Sequence, residues 1–185
     1  IKQLMLYEST VWSICSSDNI MRVFKLQKRA SRVILEADTR SNSVKLFKKL
    51  ERLLFYDEVK LNKCVLVFKR LLGSHPSHMY DILKFNADLH TRTGRYSKLI
   101  LAAPRFNRET EGGRTFSVSA TRLWNQLPTN LQKEATTVAS FRKAFHRHFL
   151  TRYDEVEHCD SKLNLACLVS IAKPRRPKRH ILFYI

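Results

Sequence analysis

The sequence predicts a mainly α-helical protein: a helical bundle with an extended connector and a basic tail. Four glycines and five prolines in 185 residues are too few for an all-β chain with many tight turns. Hydrophobic residues make up 44% of the chain, which is enough for a buried core and excludes a wholly disordered basic segment. Several stretches also repeat apolar residues at helical spacing. The length fits one domain, or one and a half.

Four regions follow from the pattern along the chain. We predict a helical region over 1–85, an extended basic connector over 86–113, a C-terminal helical region over 114–153 and a tail over 154–185. The connector has room for one or two short strands, but its run of β-forming residues is too short for a full sheet. The tail ends in the proline-broken basic run KPRRPKRH, and we expect it to be poorly ordered.

The strongest helical pattern covers residues 19–37, and Ser17 or Asp18 is expected to cap its start. At about 100° per residue, its apolar side chains gather on one side, which we expect to be buried. These side chains are Ile20, Val23, Leu26, Ala30, Val33 and Ile34. Its cations gather on the opposite side and are Arg22, Lys25, Lys28, Arg29 and Arg32.

Further helices are predicted along the chain. A short one over 44–53, capped by Ser43, points lysines outward, and a third runs from Asp57 to Leu72 and ends at Gly73 in a left-handed cap. Another ends at Pro128, and the last begins near Ser140. The aromatic residues of the last two are assigned to the core rather than to base stacking. They are Phe116, Trp124, Phe141 and Phe145.

Charge points to a polyanionic partner. Lys plus Arg number 34 against 16 Asp plus Glu, a formal net charge of +18, which favours nucleic acid over a membrane surface. No acidic residue occurs from Arg22 to Leu35, so this helix can neutralise several phosphates without reading base sequence. The alternative is a solvated basic face of an ordinary bundle. The predicted contacts are Arg22, Lys25, Lys28, Arg29, Arg32, Lys45, Lys48 and Lys49, with a weaker set of Arg142, Lys143 and Arg147.

No motif for catalysis or metal binding is found, so neither catalytic nor metal-ligating residues are predicted. Neighbouring acids such as Asp57 and Glu58 are expected to be solvated or capping. The four cysteines form no C-x-x-C pair, and the spacing of Cys159 and Cys167 is unusual for zinc, so reduced thiols in an intracellular protein are expected. No run of 18 apolar residues and no signal-peptide pattern occur, so no membrane partner is expected.

Three short motifs lie in order along the chain. Residues 26–34 read LQKRASRVI and are preceded by YESTVW at 7–12. Residues 123–128 read LWNQLP and are followed by SFR at 140–142, with a helix–Gly–Pro break at 71–76 between the two sets. Over about residues 5–152 the chain therefore resembles the region that follows the polymerase core in non-LTR retrotransposon reverse transcriptases, above all those of the jockey and chicken-repeat-like clades.

The resemblance implies a thumb and post-thumb fragment of an RNA-directed DNA polymerase. Such a fragment would grip RNA or an RNA–DNA duplex beside the palm and fingers domains of the same parent protein, in the nucleus or in a cytoplasmic ribonucleoprotein. No aromatic-x-Asp-Asp strand is present, so nucleotidyl transfer is not expected from this chain alone, and Mg²⁺ would belong to the parent polymerase rather than to this chain. The start at Ile1 instead of Met agrees with a fragment.

One alternative stays open at this point. The chain would then be a helical protein-interaction module, or a decayed or host-co-opted transposon fragment without an enzymatic role. Nucleic-acid binding that depends on salt and on the cations of residues 22–32 separates the two interpretations.

Overall fold

A computed structural model describes residues 2–89, 99–108 and 112–158, without the side chains of residues 17 and 154–158. Within these ranges the chain is helical and holds no strand, so the predicted mainly α fold is confirmed. The helices are α1 (Lys2–Leu6), α2 (Ser9–Trp12), α3 (Ser17–Ile34), α4 (Ser43–Lys49), α5 (Phe55–Leu71), α6 (Met79–Ile82), α7 (Asn86–Leu89), α8 (Phe116–Gln126), α9 (Thr129–Lys133) and α10 (Val138–His158). Helix α10 continues through 154–158, the start of the predicted tail, and the rest of that tail, with Cys159 and Cys167, lies outside the described residues.

Helix α5 forms the centre of the fold, because α2, α3, α8 and α10 all pack against it. Apolar residues occur on most of its sides, as a helix surrounded by others requires. It begins at Phe55 rather than at the predicted Asp57, since Leu54 already has extended backbone and serves as its N-cap. Its first turn therefore carries Asp57 and Glu58 into the interior. The expectation that these two acids are solvated is wrong.

The core holds a row of aromatic rings along α10. The Phe68 ring of α5 stacks on Phe141, with ring centroids 4.7 Å apart, and Phe145 stacks on Phe149 at 4.4 Å. Trp124 of α8 lies 5.9 Å from Phe141 and is fully buried. The assignment of Trp124, Phe141 and Phe145 to the core is confirmed, and Phe116 lies half-buried against the same core.

Three helices end in the same hydrogen-bonded turn, in which the residue after the C-cap is left-handed. Gly73 has the predicted left-handed backbone (φ 69°), with Ser74 N–H donating to the Lys69 carbonyl at 3.1 Å. After α3 and α4 the same position is held by Glu36 and Glu51, both at φ 49°. A side chain in this region is strained, so the two glutamates occupy sites better suited to glycine.

Helix starts differ from the predicted caps. The N-cap of α3 is Ser16, without a side-chain cap bond, instead of Ser17 or Asp18. The N-cap of α4 is Asn42 instead of Ser43, and its side-chain oxygen accepts from Val44 N–H at 2.9 Å. At the start of α10, Thr137 and Ser140 exchange reciprocal side-chain to backbone bonds of 3.0 and 3.1 Å. This arrangement is a capping box.

The LWNQLP motif holds residues 99–101 of the connector in place through hydrogen bonds. The Trp124 indole donates to the Leu99 carbonyl at 2.7 Å. The Asn125 amide accepts from Leu101 N–H at 3.0 Å and donates to the Leu101 carbonyl at 2.9 Å. On its other side Leu101 forms an antiparallel bridge with Phe85. The sequence predicts one or two short strands for the connector, and its described residues form this isolated bridge instead.

Candidate nucleic-acid interface

Helix α3 presents a different face to the core than its apolar pattern predicts. Its buried side runs through Phe24 and Ser31, which are each 2% exposed. Leu26, Val33 and Ile34, expected inside, are 56%, 78% and 66% exposed. The apolar expectation is therefore wrong for these three residues, and the helix is rotated so that polar side chains take part of the inward face.

Gln27 explains this rotation. Its side-chain amide donates to the Leu53 carbonyl at 3.0 Å and accepts from Phe55 N–H at 2.8 Å, just where the chain enters α5. These two bonds satisfy backbone groups that would otherwise lack partners at the start of a helix. Ser31 is satisfied within α3, because its hydroxyl donates to the Lys28 carbonyl at 2.8 Å. Polar residues with such partners can be buried at little cost.

Three of the predicted contacts lie together on the outer face of α3. Arg22, Lys25 and Arg29 are all exposed, and their spacing places them within one third of the helix circumference. None of the three pairs with a carboxylate among the described residues. The face therefore offers unneutralised positive charge to an anion.

Lys28 and Arg32 are half-buried, which corrects their predicted fully outward position. The Lys28 ammonium lies 4.7 Å from the centre of the Phe24 ring, and burial lowers the pKa of Lys28, with smaller contributions from Arg32 and Lys25. The pKa of Asp38 is below its ordinary value, chiefly because the Thr39 hydroxyl donates to it, and Arg32 adds a small part.

The second predicted group lies on α4, beside α3. Lys45, Lys48 and Lys49 are exposed, as the sequence predicts. The Phe24 and Phe47 rings, whose centroids are 6.3 Å apart, hold the two helices together. The structure therefore brings the α3 and α4 cations onto neighbouring helices.

The weaker predicted set on α10 is exposed but divided. Arg142 lines an open cleft with Lys2, Tyr7 and Asn62 of the N-terminal segment and α5. Lys143 and Arg147 are one turn apart and lie on a different side of α10 from Arg142. The structure thus does not gather these three cations into one patch.

The carboxylates of the two buried acids, Asp57 and Glu58, already have bonded partners. The Asp57 carboxylate accepts from Tyr153 at 2.6 Å and pairs with Lys60 at 2.8 Å, and Glu58 pairs with Lys2. Over the described ranges, no group of three His, Cys, Asp or Glu side chains is placed to hold a metal ion. Of the helices described, none is both long and apolar enough to span a membrane.

Sequence reasoning missed an apolar groove of about 200 Å³ between α1, α3 and the loop that follows α4. Its apolar lining includes Met5, Leu6, Ala30, Ile34, Phe47 and Leu50. The sequence does carry a signal for this groove, because the apolar side chains of α3 cover a wider arc than its buried side requires.

Comparison with known proteins found no matching family model, no matching curated protein and no matching solved structure.

Proposed function

We propose that this chain binds the phosphate backbone of nucleic acid through α3, assisted by the lysines of α4. One observation carries the proposal: Arg22, Lys25 and Arg29 are exposed on one face and unpaired with any described carboxylate. A helix with several free cations on one face releases counterions when it meets a polyanion, and this release drives binding at low salt.

The choice of ligand rests on charge type and chemistry. Guanidinium groups bind phosphate oxygens through paired hydrogen bonds, and ammonium groups add point charges. The face holds both kinds of cation. The described aromatic rings lie mainly in the core, so binding relies on the backbone rather than on base stacking.

The motifs at residues 26–34 and 123–142 extend the proposal to a role in a larger protein. On that resemblance the chain is the thumb and post-thumb part of a retrotransposon RNA-directed DNA polymerase. It would hold RNA or an RNA–DNA duplex in a ribonucleoprotein, while palm and fingers domains supply catalysis and bind Mg²⁺. In this proposal the isolated chain binds but does not polymerise.

A filter-binding titration with an RNA–DNA hybrid at several salt concentrations tests the proposal. The test variant reverses the α3 cations: Arg22→Glu, Lys25→Glu and Arg29→Glu. Each lost phosphate contact should reduce the slope of log affinity against log salt by roughly 0.9, so the triple change should reduce it by about 2 to 3.

A matched control reverses three exposed cations elsewhere, Lys84→Glu, Arg105→Glu and Lys133→Glu, so that both variants have the same net charge. The control should keep most of the wild-type slope. Equal losses in the two variants would mean diffuse attraction rather than a site on α3. Weak binding that the α3 variant leaves unchanged would refute the proposal, provided that circular dichroism shows both variants folded.

A further inference from the structure

The groove beside α3, defined above by Met5, Leu6, Ala30, Ile34, Phe47 and Leu50, is not explained by phosphate binding. Apolar side chains make up most of its lining, and Ile34 on its edge is 66% exposed. Exposed apolar surface of this kind is costly in water and commonly marks a contact surface. We call this feature the α3 groove.

The size of the α3 groove favours the side chains of a partner over a small molecule. Its volume of about 200 Å³ is below the range of roughly 300–1,000 Å³ that is usual for small-molecule sites. Val33, which directly precedes Ile34, and Leu26, two turns before Val33, are also exposed and extend the apolar surface out of the groove towards the cations of α3. A long, narrow apolar strip suits the apolar face of a helix.

The charges at the rim indicate the chemistry of that helix. Lys2 and Arg52 line the groove, and Arg22 and Arg29 lie beyond Leu26 and Val33 on α3. The acid lining the groove, Glu58, is buried and paired with Lys2. A net charge of +18 also opposes the docking of a second copy of the chain. Lys2 is thus already neutralised, and Arg52, with Arg22 and Arg29 farther out, makes the rim complementary to acidic residues.

We propose that the α3 groove binds an amphipathic helix of a partner protein, with apolar side chains facing the groove and acidic side chains flanking them. Ile34 and Ala30 contact the apolar face, and Arg52 pairs with a flanking carboxylate. The groove lies beside the phosphate-binding face, with which it shares Arg22 and Arg29 at the border, whereas Ile34, Ala30 and Arg52 belong to the groove alone.

Fluorescence anisotropy with a labelled synthetic peptide tests this proposal on the full chain. The probe is a peptide of about four helical turns with leucines at i, i+3, i+4 and i+7 and glutamates beside them. Ile34→Asp and Arg52→Glu should each weaken its binding by roughly tenfold or more. Ile82→Asp, at an exposed apolar residue of α6, should leave binding unchanged.

Two control peptides sharpen the result: one with the same leucines spread around the helix, and one with lysine in place of glutamate. Both should bind much more weakly than the probe. The proposal is overturned if either control binds as well as the probe, or if Ile34→Asp and Arg52→Glu leave binding unchanged. It is also overturned if Ile34→Asp abolishes hybrid binding, which would place nucleic acid in the groove, or converts a dimer to a monomer in sedimentation.

Discussion

Tyr153 joins α10 to the start of α5 at a single oxygen. Its hydroxyl donates to the Asp57 carboxylate at 2.6 Å and accepts from Leu54 N–H at 2.9 Å. Burial, together with the neighbouring Asp57 charge, raises the pKa of Tyr153 above its ordinary value, so the hydroxyl keeps its proton. This one side chain thereby fixes α10 to the first turn of α5.

We expect Tyr153→Phe to lower the free energy of unfolding by about 2–3 kcal/mol, because it removes a hydrogen bond to a charged group and leaves Leu54 N–H unpaired. Urea denaturation followed by circular dichroism measures the change. Tyr7→Phe, at a tyrosine that is 73% exposed, serves as the control and should change little. Equal effects of the two substitutions would contradict this account of Tyr153.

Lys63 is a buried cation whose bonded partner is neutral. Its ammonium donates to the Ser119 hydroxyl at 3.1 Å, it forms no ion pair with a described acid, and burial lowers its pKa. The unfolded chain therefore binds this proton more tightly than the folded chain does. The free energy of unfolding therefore rises as the pH approaches 10.5, the ordinary lysine pKa, because the folded chain loses this proton at a lower pH than the unfolded chain does.

Lys63→Met should stabilise the protein at neutral pH by about 1 kcal/mol or more, because an apolar side chain of similar length replaces a buried charge. The advantage over wild type should shrink as the pH is raised towards 10.5, where the wild-type penalty is relieved. Urea denaturation of both proteins at several pH values below 10.5 tests this. A stability difference that does not vary with pH would count against the assignment.

At the scale of elements, the motif residues act mainly as architecture. Gln27 ties α3 to α5, Asn125 pairs with the backbone of Leu101, and Ser140 completes the cap of α10. Apolar periodicity predicted where most helices lie, but it placed the inward face of α3 wrongly. A periodicity argument assigns every polar residue to the outside of a helix. It therefore misses a side chain such as Gln27, which faces inward because it bonds to backbone groups about 26 residues away.

Glu51, which has left-handed backbone just after α4, allows a test at the scale of elements. Glu51→Gly should raise the free energy of unfolding by about 1 kcal/mol, because glycine removes the strain of φ 49° and an acid leaves the negative end of a helix. Gly73→Ala, the reverse change at φ 69°, should destabilise by a similar amount. Thermal unfolding compares the two variants, and a destabilised Glu51→Gly protein would contradict the assigned strain.

At the scale of the whole molecule, the structure shows where part of the net charge of +18 lies. The cations of α3 and α4 lie on neighbouring helices, while Arg142 faces a different cleft from Lys143 and Arg147. The sequence predicts the exposure of most of these side chains, because each lies off an apolar stripe. It does not predict which of them share a surface, because that depends on how helices from distant parts of the chain pack around α5.

The Tyr153 link also bears on how the protein is made. Leu54 and Asp57 leave the ribosome long before residue 153, and α5 cannot complete its surroundings until α8 and α10 have followed. During that interval the apolar sides of α5 have no partner from the second half of the chain. The nascent polypeptide therefore has to keep its central helix soluble until α8 and α10 have been synthesised, and only then can it complete the core around α5.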